Sequence, residues 1–297
     1  MNIVEKLDLA IKLKETGTTN DGYTVMYNGK PLCKQAYMTV AEWKAFEAAM
    51  KANTVQPYAY AEYAAGDGGE MTEKNGRPPK MAAYGSSSRM IYNLSSQKPD
   101  FHYEKKLPTT VGGTANLDGF YEDDNRYLFV EAKCHEPYTA KNVRVSKSYE
   151  ALYAYINEHM DGNVRVDMEP SKCGKYLNVS YFADGEKLER FDMKQMICHL
   201  LGIATAMLKG KLERKQTDFS YLLYDPTELD IDPDAKSAID AIYERTCYEC
   251  NLVDFATLYR VLLDFLRTEK RVGEATDADV DDMVLKFTFA LASQKNF

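Results

Sequence analysis

With 297 residues, of which 45% are hydrophobic, the chain is long enough to bury a sizeable core as one large or two small domains, and its composition excludes a disordered or fibrous protein. A formal net charge of -8 excludes a broadly basic nucleic-acid coat, so any contact with DNA has to come from a local groove. The six cysteines lack the dense spacing of a disulfide scaffold and no signal-peptide pattern precedes them, which points to a reducing cytoplasm; no apolar run is long enough to span a bilayer.

From the start of the chain, Ile3, Leu7 and Ile11 at helical spacing predict a packed first helix over residues 3–14. Segments 23–27 and 30–33 flank Asn28-Gly29, a strong hairpin signal. Thr39 and Glu42 make a capping box for a helix to about residue 51, with Trp43, Phe46 and Met50 on its apolar stripe. Residues 65–79, AGDGGEMTEKNGRPP, read as a mobile loop from their glycines, prolines and charges. After Gly85 a helix opens on a serine cap and runs to about residue 94. Its first amide groups, with Ser87, Ser88 and Arg89, suit either plain capping or the grip of a DNA phosphate.

A strand is predicted over 101–107, carrying Glu104, and a second over about 115–121, carrying Asp118. The polar turn 122–126 leads into a third strand that ends in Phe129-Val130-Glu131-Ala132-Lys133-Cys134. Alternation with period two puts Glu131 and Lys133 on one face and Val130 and Ala132 on the other, and an antiparallel hairpin of this register brings Asp118 opposite Glu131. Two carboxylates and a lysine around one point suit hydrolysis of a phosphodiester. Oxygen ligands of this kind select a hard cation, Mg2+ with Mn2+ able to substitute, while the lysine orients water or neutralises developing charge. A solvated edge strand gives the same letters; the apolar run Leu128, Phe129, Val130 argues instead for a buried strand, where unpaired charge is costly unless functional. His135 leaves this strand as a rim residue or a further ligand.

Further on, residues 145–159 predict a helix with Tyr149, Leu152, Tyr153 and Ile156 inward, and Lys141, Arg144 and Lys147 facing DNA or solvent. Strands follow over 164–168 and 176–182, then a helix over 193–208 in which Gln195 and His199, four apart, share one face. A last core strand covers 219–224. Beyond Pro233 three helices are predicted, over 235–249, 252–270 and 277–293, and Asp277, Asp279, Asp281 and Asp282 complement the dipole of the last. That acidic tail reads as a packing or oligomerisation element, compatible with a homodimer, and the lone Cys247-Tyr248-Glu249-Cys250 as core or surface thiols.

Asp118 followed by Glu131-Ala132-Lys133 on an apolar strand resembles the bipartite D…ExK signature of the PD-(D/E)XK nuclease superfamily. The words KMAAYGSSSRMIYNL, FHYEKKLP, ANLDGF, FVEAKCHEPY and KQMICHLLGIA resemble a bacterial group of restriction-type endonucleases within it, over about residues 58–206. Leu117 stands where the name-giving proline would be. The resemblance implies an α/β restriction-endonuclease-like core, a mixed central sheet flanked by helices, over 58–226. Helical additions would flank it at 1–57 and 227–297. It further implies Glu104, Asp118, Glu131 and the Ala132 carbonyl as metal ligands and Lys133 as the catalytic lysine. Gln195 and His199 are similar to the Q-x-x-x-Y helix of RecB-like members, with histidine for tyrosine. The implied activity is Mg2+-dependent cleavage of DNA in restriction or defence. A repair or recombination nuclease, or a catalytically silent DNA-binding or assembly module, would use the same fold.

Overall fold

The computed structural model describes residues 2–18, 26–27, 30–31, 36–66, 68–74, 76–139 and 143–297. Its elements are α1 (Ile3–Thr16), β1 (Met26–Tyr27), β2 (Lys30–Pro31), α2 (Val40–Lys51), α3 (Ala59–Ala64), α4 (Ser87–Ser95), β3 (Phe101–Pro108), β4 (Thr114–Glu122) and β5 (Arg126–Lys133). There follow β6 (Val143–Ser146), α5 (Glu150–His159), β7 (Val164–Pro170), β8 (Tyr176–Ala183), β9 (Glu186–Lys187), α6 (Met193–Leu208) and β10 (Gln216–Leu223). The chain ends with α7 (Pro233–Asn251), α8 (Phe255–Thr268), α9 (Asp277–Leu285) and β11 (Phe287–Ser293). The Thr39–Glu42 capping box and the Ser86 cap of α4 form as their residue types dictate. The turn at Asn28-Gly29, and Cys33, lie outside the described residues.

The architecture is mixed α/β. A five-stranded sheet runs in the order β11-β10-β5-β4-β3, with β11, β10 and β5 parallel and β4 and β3 antiparallel beyond them. A smaller antiparallel sheet, β6-β8-β7 with β9 beside β8, packs with α5 into the same core. Two apolar cores lie on the two faces of the large sheet. One joins Leu117, Phe120, Tyr127, Phe129, Phe219 and Tyr221 to α6 and α8; the other joins Phe101, Tyr103, Val130, Ala132 and Leu222 to α1, α2 and α4. Each fully buried side chain of Phe129's kind contributes about 1.5–3 kcal/mol.

Two predicted elements are corrected. Residues 143–146 are strand β6, because Val143 and Val145 pair with Val179 and Leu177, and the helix begins only at Glu150. The final predicted helix stops at Leu285. Residues 287–293, FTFALAS, run as a strand along the open edge of β10, so the C-terminal region completes the central sheet and is not wholly helical. Among the described residues no helix is long and apolar enough to cross a membrane.

Candidate active site

The site grows from a break in the strand alternation. Phe101 and Tyr103 of β3 face the core under α4, whereas Leu107 faces the core under α6. The phase changes at Glu104, whose φ of 55° is left-handed and costs a non-glycine residue about 1–2 kcal/mol. On β4 the change falls at Asp118: Leu117 packs under α6, while a Cβ on Gly119 would strike Phe101 and Ile91 on the other face. Strand pairing skips both acids, running Tyr103↔Gly119 and then Lys105↔Leu117. Both carboxylates are therefore set where the ladder opens, as bulged strands commonly do beside a site.

β5 keeps strict alternation. Tyr127 and Phe129 point under α6, so Glu131 and Lys133 follow them there, into the face that presents Gln195 and His199. The Lys133 ammonium bonds Glu131 Oε1 and donates to Gln195 Oε1 at 2.8 Å; His199 Nε2 meets Glu131 Oε2 at 2.8 Å. Glu131 and His199 are each 1% exposed. The ladder between β4 and β5 ends at Gly119↔Val130, and Asp118 lies one step beyond it, its Oδ2 accepting from the Ala132 N–H at 2.7 Å. The backbone amide of the x residue in ExK thus ties the two halves of the motif together.

Electrostatics separate the acids. Burial, then the charge of Glu131, pushes Asp118 well above the usual carboxylate range, against the pull of Lys133 and the Ala132 amide. Burial and then Glu70 push Glu104 up to about 7. Burial acts on Glu131 in the same sense, but Lys133 and His199 outweigh it and hold the carboxyl below its ordinary value. Lys133 would be lowered by burial, yet Glu131 beside it holds it well above the usual lysine range.

These groups line a cleft of about 580 Å³, with Glu104, Asp118, Glu131, Ala132, Lys133 and Gln195 on its floor. Ser87 and Ser88 line it too. Ser87 Oγ donates to Glu136 Oε1 at 2.7 Å and accepts from the Cys134 N–H, fastening the start of α4 to the end of β5. His135 lies at the wall with its Nδ1 3.5 Å from Asp8 Oδ1 of α1.

Other expectations fail on position. Arg89 does not reach the cleft; it is buried beneath the Tyr84 ring and ion-paired with Glu15 of α1, so its charge is already neutralised. Arg144 lies over Tyr176 and lines a different groove, with Asp167 and Glu169, on the small sheet; Lys147 is exposed beside that sheet and does not line the cleft. Lys141 lies outside the described residues. Besides Lys133, the described lysines and arginines that line the cleft are Lys74, Arg77, Lys80 and Lys106. Lys74 and Arg77, together with the acid Glu70, belong to the segment 65–79 that the sequence reads as a loop, and Lys80 follows directly after it. The loop's alternation of glycine and proline with charge was the available signal.

The donor set fits a hard cation in type, since the carboxylate and carbonyl atoms of Glu104, Asp118, Glu131 and Ala132 are all oxygens and one buried carboxylate oxygen, Glu70 Oε2, has no hydrogen-bond partner among the described residues. It does not fit a closed metal cage: among the described residues no three Asp, Glu, His or Cys groups converge as one. Comparison with protein-family models, with curated proteins and with solved structures gave no match in any of the three.

Proposed function

We propose that the cleft hydrolyses phosphodiester bonds of DNA with a divalent cation, on a core of the restriction-endonuclease-like kind, in a restriction or defence role. The observation that carries this reading is the meeting of Asp118, Glu131, Lys133 and Gln195, drawn from β4, β5 and α6, around one accessible cleft with a cationic rim. Asp118, Glu104 and Glu131 would hold the cation, which supplies polarisation of the phosphoryl oxygens and a lowered pKa for bound water. Lys133, fixed between Glu131 and Gln195, stays charged and stands ready to neutralise a phosphoryl oxygen as it gains charge. Gln195 orients that ammonium, and His199 holds the carboxylate beneath it. Lys74, Arg77 and Lys106 would track the sugar-phosphate backbone, while Lys80 pairs with Glu70.

One observation favours a second reading, a catalytically silent DNA-binding or assembly module. Both oxygens of Glu131 are already engaged, by Lys133 and His199. An assay on supercoiled and linear DNA with Mg2+, Mn2+ or EDTA separates the two. For the nuclease, cleavage requires the cation, and Lys133→Ala and Asp118→Asn each lower the rate by about 10²–10³-fold while the fold is retained. DNA retention without cleavage by the wild type identifies the silent module.

A further inference from the structure

The described residues of the 68–80 segment, 68–74 and 76–80, are built around one carboxylate. Glu70 is 4% exposed; its Oε1 accepts from Lys80 Nζ at 2.9 Å, and its Oε2 is buried with no hydrogen-bond partner among the described residues. Two glycines make room for it. A Cβ on Gly68 would overlap Glu70 Oε1 and Lys80 Nζ, at 2.0 and 2.6 Å. A Cβ on Gly66 would stand 3.1 Å from Glu70 Oε2, 3.2 Å from the Tyr63 carbonyl oxygen and 3.4 Å from Glu104 Oε2. Three oxygens, two of them carboxylate, thus crowd around one point beside Gly66. A buried carboxylate oxygen left unpaired beside a second acid is costly unless a cation joins them.

We propose that Glu70 is a ligand for a divalent cation of the Mg2+ or Mn2+ class, sharing the ion with Glu104, and that this contact latches the 68–80 segment over the cleft. The proposal rests on the nuclease reading for its purpose, though not for its chemistry. Lys74 and Arg77 ride on the latched segment and line the cleft. The ion therefore sets the position of the cationic rim as well as the charge of the floor, and presentation of the rim to a phosphate backbone becomes conditional on the metal.

Mn2+ titration of the full chain, followed by the electron paramagnetic resonance signal of free Mn2+ without DNA, tests this. Trypsin cleavage after Lys74 is followed in parallel. The wild type binds, and Mn2+ slows the cleavage. Glu70→Gln weakens binding by at least about tenfold and abolishes the protection. Gly66→Ala, which keeps Glu70 but puts a methyl group between the oxygens, weakens binding as well and carries the test if Glu70→Gln fails to fold. Wild-type affinity in folded Glu70→Gln, or in Gly66→Ala where Glu70→Gln does not fold, or no binding by the wild type, overturns the proposal. If Glu70→Gln binds Mn2+ and cuts DNA as the wild type does, this inference falls and the nuclease stands; if binding depends on Glu70 and DNA stays uncut, the reverse holds.

Discussion

At the scale of single residues, Glu104 carries the clearest compromise in the molecule. Its backbone is left-handed, and burial, then the charge of Glu70, pushes its carboxyl up to about 7 from an ordinary value of 4.5, so the fold favours the protonated acid. The sign follows from linkage: a raised carboxyl contributes stability that is complete below about pH 4.5 and is lost as pH rises through about 7. Asp118 is raised in the same direction. Without added cation, the melting temperature of the wild type should fall between pH 5 and 8, while that of Glu104→Gln should fall less and end above the wild type. Equal slopes for the two proteins would show that Glu104 is not the group responsible. Period two put Glu131 and Lys133 on one face in the sequence, and helical spacing put Gln195 and His199 on another, so the lower half of the site was legible. Glu70 was not, because a carboxylate in a glycine-rich loop has no periodicity, and only the space left at Gly66 and Gly68 reveals where it points.

Among the elements, β5 and α6 form the rigid part of the cleft, and α7 secures the approach to α6. Glu249 of α7, with no exposed surface, accepts from the backbone N–H groups of Glu189, Arg190 and Phe191 through Oε2 and binds Arg245 through Oε1. Glu249→Ala leaves three amides and the Nε of Arg245 without their acceptor, while the rest of that guanidinium keeps Glu186 and the Lys187 carbonyl, and should destabilise the fold by about 3–5 kcal/mol in urea denaturation. A loss below about 1 kcal/mol would mean that water replaces the carboxylate. The last strand shows where local pattern stops being informative. In FTFALAS the apolar residues satisfy both period two and a continuation of the helix before them, and the decision comes from the unpaired edge of β10, a tertiary fact. The same holds for Val143 and Val145, which pair with β8 although their spacing also fits the helix that follows.

For the molecule as a whole, the formal charge of -8 conceals a local arrangement with acids on the cleft floor and Lys74, Arg77, Lys80 and Lys106 along its lining. Binding of duplex DNA should therefore weaken with salt, and Lys74→Ala with Arg77→Ala together should reduce the slope of log K against log salt by about 2, one for each phosphate contact removed. An unchanged slope would place the DNA elsewhere. The sequence suggested a local groove and assigned it to Ser87, Ser88, Arg89, Lys141, Arg144 and Lys147; of these Ser87 and Ser88 line the cleft, Lys141 lies outside the described residues, and the other three lie elsewhere. Charge alone does not tell a cation neutralised by Glu15, or one on a separate sheet, from one that lines the site. The central claim is that this cleft holds a hard divalent cation against a scissile phosphate. Anomalous diffraction from crystals soaked in Mn2+ tests it most directly: the account predicts a peak bonded to carboxylate oxygens of Asp118 and Glu104, and a cleft with no peak at saturating Mn2+ would contradict it.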